Sequence, residues 1–266
     1  LALILCCLLF PLALGPEMHW PWQSKAALLA ILPLAVWMRS SAVQQEKRGI
    51  TPLVPPRLLK LPSIRFGLLI ALLFFSAWAG FMFCMALTLQ AGMGMTPYQS
   101  GNSFIALGVA YFVSAWYAPK LISRYSMRAI LLTGLAIQIA GLLALMVTLH
   151  LSGRVVGVLA LAPATLLIGY GQALIVNSFY RIGMRDISAQ DAGAGSALLS
   201  TLQQSALGLG PALLGGIFLH LVGQSHGDYS AALSGFLATE VVMMLALAAA
   251  ALFARRQLAP RCTTTA

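Results

Sequence analysis

Polar positions are sparse along this chain and bunch into short segments. They leave eight apolar runs, at 1–15, 25–40, 66–90, 99–119, 129–150, 155–180, 193–222 and 230–254. A run of about 20 residues crosses the hydrocarbon of a bilayer at about 1.5 Å per residue, so the long runs predict membrane helices. The run 1–15 reads as the end of a truncated span: "LALILCCLLFPLALG" has neither an initiating Met nor the basic segment of a signal peptide. A longer parent protein is therefore expected. The run 25–40 is short and holds Pro33, yet the charge pattern below requires it as a span. A β-barrel would show short alternating segments, and none occurs. The expected fold is all-α and polytopic, with two linker helices followed by a six-helix bundle. The expected boundaries are 1–43 for the linker helices, 44–65 for a connection, 66–254 for the bundle and 255–266 for a basic tail.

Local signals support several of these boundaries. In "TPYQSG", Thr96 is placed to cap a helix and Pro97 to occupy its first position. "SAQD", Ser188 to Asp191, has the spacing of a capping box before the seventh run. Asp228 can cap the eighth. Asp186, Asp191 and Asp228 thus read as acids near helix starts or in solvated loops. Pro52, Pro55 and Pro56 break any continuous helix through the connection.

Composition fixes the solvent. The chain is 60% hydrophobic and 8% charged, where a soluble domain carries about 25% charged residues. A net charge of +10 could point to nucleic acid, but the charges sit in loops between apolar runs. If loops alternate sides, one side holds Arg39, Lys47, Arg48, Arg57, Lys60, Arg65, Lys120, Arg124, Arg128, Arg181, Arg185, Arg255, Arg256 and Arg261. The other side holds Lys25 and Arg154, so fourteen of the 16 basic residues share one side. That side is predicted to be cytoplasmic and to carry the C-terminus. The expected location is a bacterial inner membrane, and no nucleic-acid partner is expected. Cys6, Cys7, Cys84 and Cys262 have no metal or disulfide spacing and read as small apolar side chains.

Enzyme chemistry finds no support. The chain has no HExxH or Walker loop, so neither catalytic residues nor ATP hydrolysis is expected. His19, His150, His220 and His226 fall at helix ends or in loops and read as interfacial or solvated groups, so no metal or cofactor is expected. The seventh run reads small at every fourth residue: Ala192, Ser196, Ser200, Gln204, Gly208, Ala212, Gly216. Such a face allows close helix approach, either as plain packing or as a surface that slides against a partner. Gly208, Gly210, Pro211, Gly215 and Gly216 are the candidates for close packing and flexing, with a kink expected at Gly210-Pro211.

Amides within spans, Gln90, Gln138, Asn177, Gln203 and Gln204, face protein or a water-filled cavity. Asn177, Gln203 and Gln204 are taken as candidates for a substrate or proton pathway. Glu240 joins them. It stands near the middle of the eighth run, too short to reach either interface, and an ionised acid there costs about 2.5–3.5 kcal/mol. It either carries a proton and makes a structural hydrogen bond, or handles protons or cationic substrate.

In order along the chain, "PEMHWPWQS", "TPLVPPRLLKLPSIRFG", "LTLQAGMGMTPYQSGNSFIALGVAYFVSAWYAPKLISRYSMR" and "AGAGSALLSTLQQSALGLGPALLGG" resemble the major facilitator superfamily, and within it the fourteen-helix drug/proton antiporter branch of the EmrB/QacA type. The resemblance implies a C-terminal fragment of such a transporter, working with a missing N-terminal half of the same chain. Arg124 and Arg128 fit the basic positions of the family's cytoplasmic loop, whose usual Asp and Gly are here Ser123 and Ser126, and Lys120, Arg124 and Arg128 are expected to fix that loop or touch anionic lipid. "GPALLGG" echoes the family's GPxxGG antiporter motif with one residue too many. The resulting expectation is a secondary active transporter, proton-coupled, exporting small amphipathic or cationic drugs by alternating access. Its expected partners are a small-molecule substrate, protons and the lipid bilayer. A facilitator for another metabolite and a non-transporting scaffold or sensor subunit are the alternatives.

Overall fold

A computed structural model describes residues 22–47, 56–152 and 157–254, together with Cys7 and Pro11. Apart from those two positions the expected first span lies outside the described residues, as do residues 48–55 of the connection and the basic tail. Among the described residues every regular element is a helix. The elements are α1 (Trp22–Lys47), the short α2 (Pro56–Leu59), α3 (Pro62–Gly92), α4 (Pro97–Asn102), α5 (Ile105–Arg124), α6 (Met127–Ser152), α7 (Val158–Met184), α8 (Ala189–Gln224) and α9 (Tyr229–Phe253). Six stretches among the described residues are long and apolar enough to cross a membrane: Pro62–Gly92, Pro97–Ile122, Met127–Ser152, Val158–Met184, Ala189–Gln224 and Tyr229–Phe253. The molecule is an all-α polytopic membrane protein. In α1 the apolar helical stretch Lys25–Leu34 is shorter than the six candidate spans. The helix runs through Pro33 and on to Lys47, past the point where the connection was expected to begin.

Helix starts follow the side chains that can cap them. Thr96 Oγ1 accepts from Gln99 N (3.3 Å), and Gln99 Oε1 accepts from Thr96 N (3.0 Å), with Pro97 in the first turn. Ser188 Oγ accepts from Asp191 N at 3.3 Å, and Asp228 Oδ1 accepts from Ser230 N (3.0 Å) and Ala231 N (3.1 Å). The turn into α9 passes through two left-handed residues, His226 (φ 55°) and Gly227 (φ 86°).

Among the described residues three turns are wide, with i→i+5 geometry: Ala71–Phe75 and Thr88–Gly92 within α3, and Gly210–Gly215 within α8. The last holds Pro211, which has no N–H to donate. The kink expected at Gly210-Pro211 is therefore realised as a wide turn.

The chain divides into two compact units, residues 1–80 with 183–217, and residues 81–182 with 218–266. In the first unit α3 buries Ile64, Ile70, Phe74 and Phe75, and α8 buries Gly195, Leu198, Leu199 and Ala206. The two backbones come closest at Gly210, where a Cβ would collide with Ser76 O and lie 2.8 Å from Gly80 N. Arg57 pairs with Asp191 at 2.7 Å, tying α2 to the start of α8. Ser196, Ser200 and Gln204 on the small face are exposed, and Ala192, Gly208, Ala212 and Gly216 are half-exposed. The packed face of α8 is thus a different one.

In the second unit α6 is the hub. Gly134 and Gly141 let it meet α7: a Cβ on Gly134 would lie 2.9 Å from Leu174 Cβ, and one on Gly141 2.8 Å from Ile168 N. Gly171 of α7 returns the approach, 2.7 Å from Gln138 N by the same measure. α9 packs along α6 with a buried stripe of Leu233, Phe236, Leu237, Glu240, Met244, Leu247 and Ala251. α5 joins α7 through Ser114 Oγ, which donates to Tyr170 O at 2.9 Å.

Candidate functional site: a polar layer at mid-depth

Within the second unit, buried polar side chains collect at one level of three helices. Glu240 has residues 229–239 of α9 before it and 241–253 after it. Gln138 has 127–137 and 139–152 of α6 on its two sides, and Gln172 has 158–171 and 173–184 of α7. Each lies within about 3 Å of its helix centre at 1.5 Å per residue. Their relative exposures are 2%, 4% and 7% for Glu240, Gln138 and Gln172. Their depth follows from sequence: small neighbours on α6 and α7 bring the backbones together and enclose both amides, and the apolar stripe of α9 carries Glu240 inward.

Glu240 Oε1, Gln138 Oε1 and Gln172 Oε1 are buried acceptors that have no hydrogen-bond partner among the described residues. A buried polar atom without a partner costs about 1–3 kcal/mol. An ionised carboxylate amid Phe236, Leu237 and Met244 costs more unless a counter-charge or water serves it. Cys84, fully buried in the same unit, supplies no positive charge. The chemistry that satisfies three acceptors is a donor: a proton on the carboxyl, an internal water or a cation.

The other sequence candidates take simpler positions. Asn177 is half-buried on α7, and its Nδ2 donates to Ala173 O of the same helix at 2.9 Å. Gln203 and Gln204 belong to the first unit, Gln203 half-exposed and engaged, Gln204 exposed. Gly210 and Gly215 are buried. Gly208, Pro211 and Gly216 are half-exposed, and a Cβ on Gly216 would meet open space. Arg128 Nε donates to Ala251 O (2.9 Å) and its Nη2 to Leu252 O (3.1 Å), so it caps the end of α9. Lys120 and Arg124 are exposed at the end of α5. His220 is exposed and shares a 3.0 Å contact with Gln224 Nε2. Gln172 was not anticipated. Its signal in "GYGQ" is Gly171 and Gly169, small residues that mark close approach beside an amide.

Residues 1–211 match the family described as Major Facilitator Superfamily. The chain belongs to the Major Facilitator Superfamily. Among curated relatives it is similar to a probable actinorhodin transporter of Streptomyces coelicolor, 29% identical over 82% of this chain and 38% of the relative. It is also similar to a tetracenomycin C resistance and export protein of Streptomyces glaucescens, 26% identical over 84% of this chain and 40% of the relative. A multidrug efflux pump of Mycolicibacterium smegmatis is 23% identical over 73% of this chain and 38% of the relative. The chain spans about two fifths of the length of these relatives. The mid-depth layer of Glu240, Gln138 and Gln172 lies within three of the six candidate spans of this superfamily member.

Proposed function

We propose that this superfamily chain is the C-terminal part of a proton-driven exporter of small amphipathic or cationic compounds, in which Glu240 takes up and releases the coupling proton. The observation that carries this reading is the unpaired Glu240 Oε1, buried at mid-depth alongside two further unpaired amide oxygens. A purely structural acid gains its place by satisfying partners, whereas a loading site must be stable enough when neutral and served by water when charged. The names of the relatives, which speak of antibiotic export and multidrug efflux, support the substrate class and a bacterial cell membrane.

In this reading the chain acts with an N-terminal half of the same polypeptide, in the fourteen-helix arrangement, with its C-terminus in the cytoplasm. The length of the relatives and the one-sided basic loops support that arrangement. Proton loading of Glu240 on one side would neutralise the layer and let the bundle rock, and release on the other side would reset it. Asn177, Gln203 and Gln204 would line the path. Gly208, Gly210, Pro211, Gly215 and Gly216 would let α8 flex, and Lys120, Arg124 and Arg128 would anchor the cytoplasmic loop.

The test is transport by the full-length parent in vesicles under an imposed pH gradient, with native protein compared to Glu240→Gln. The expected result is that the variant folds but loses gradient-dependent flux of a fluorescent drug. Full gradient-driven flux in the variant would move the coupling acid elsewhere.

A further inference from the structure

Tyr117, Lys120, Leu121 and Arg124 stand at i, i+3, i+4 and i+7 on α5, one face of the helix. With Tyr170 of α7 they line an open groove of about 510 Å³. Its base is firm. Leu121 and Tyr170 pack against the buried cluster Ala118, Ile122, Ile130 and Leu174, and the Ser114–Tyr170 hydrogen bond holds the two helices together. Lys120 Nζ lies 5.8 Å from the centroid of the Tyr117 ring, within cation–π range. Among the described residues that line the groove, two are cations and none is an acid. Arg124, at the last turn of α5, stands about 10 Å along the axis from Tyr117 at 1.5 Å per residue.

The groove therefore has a charged end at the close of a membrane span and an apolar, phenolic stretch reaching towards its middle. The same helix also exposes Val109, Phe112, Val113 and Trp116, a bulky apolar flank that water does not favour. A small soluble anion would satisfy the cations and leave this apolar surface uncovered. An occupant that meets both needs carries a phosphate and a hydrocarbon chain. We propose that the groove binds an anionic phospholipid, with its phosphate between Lys120 and Arg124 and its chain along Tyr117, Leu121 and Tyr170. The planar guanidinium suits a phosphate diester in a bidentate way, and basic pockets between membrane helices select anionic headgroups. Ser123, between Lys120 and Arg124 in sequence, carries no negative charge to compete with the headgroup. This inference rests on membrane embedding alone and stands whatever compound is exported.

The test is native mass spectrometry of the full chain in detergent, titrated separately with phosphatidylglycerol, phosphatidylethanolamine, inorganic phosphate and naphthalene-2-carboxylate. Phosphatidylglycerol is expected to stay bound at one copy per chain, and the others are not. Replacing Lys120 and Arg124 together by Gln should weaken that binding about thirtyfold, roughly fivefold for each cation near an anionic headgroup. The control pair Lys60→Gln with Arg65→Gln removes equal charge from exposed positions outside the groove, and should weaken it by less than about threefold. Equal losses in the two pairs, or equal retention of phosphatidylethanolamine, would overturn the proposal. Displacement of the lipid by naphthalene-2-carboxylate would also overturn it and make the groove a site for aromatic acids.

Discussion

Arg128 reaches from the first turn of α6 to the last turn of α9 and donates to the carbonyls of Ala251 and Leu252 at 2.9 and 3.1 Å. Those carbonyls are among the four that a helix end leaves without partners, and they carry the negative end of its dipole. One guanidinium thus closes one helix and fastens it to another. Arg128→Gln should lower stability by about 1 kcal/mol, and Arg128→Lys should recover less than half, because an ammonium cannot hold two carbonyls in a fixed fork. Thermal unfolding in detergent micelles measures both. Equal stability of all three proteins would make the contact incidental.

Glu240 offers a prediction of opposite sign. Its Oε1 is buried without a partner among the described residues, so Glu240→Leu should leave the fold intact and raise stability by about 1 kcal/mol. The same change should abolish gradient-driven flux in the parent protein. A stability loss greater than about 1 kcal/mol would show instead that Glu240 holds the bundle together.

The α6–α7 seam should tolerate no side chain. A Cβ on Gly171 would lie 2.7 Å from both Gln138 N and Gly134 O, backbone atoms that cannot step aside. Gly171→Val should therefore cost about 3 kcal/mol, at the upper end for overpacking. Gly108→Ala is the matched control: its Cβ meets nothing within 4 Å, and the gain in helix propensity should stabilise by up to about 1 kcal/mol. Guanidinium-free thermal melts of the two variants would separate crowding from a general intolerance of change.

Pro211 lies in the wide turn of α8. Pro211→Ala restores an N–H where the ladder lacks one, so amide exchange between residues 206 and 216 should slow severalfold while the rest of α8 is unchanged. Unchanged exchange would mean that tertiary packing at Gly210, not the proline, sets the turn.

The spans were legible because a bilayer demands long apolar runs, and each of the six runs from 66 to 254 has its helix. Caps were legible too, since Thr96, Ser188 and Asp228 act within three residues of themselves. Burial was not. A helix apolar all round gives no stripe to show which side faces protein, so the glycines beside Gln172 were its one signal, and Asn177, which bonds within its own helix, looked more exceptional than it is. Glu240 stood out because a single charge in hydrocarbon needs an explanation wherever it points.

The wide turn at Gly210–Gly215 behaves like an edge dislocation in a ruled lattice. It takes up one extra residue, and the rows on either side keep their alignment only if the count skips by one. Before the turn the open row of α8 runs through Ser196, Ser200 and Gln204, and after it the row resumes at Leu213 and Ile217, 43% and 52% exposed, not at Ala212 and Gly216. The small, smooth rail implied by counting fours therefore ends at Gly208, and a coarse one of branched side chains takes its place. A helix packed along this row of α8 would meet two different textures, small side chains before the turn and branched ones after it.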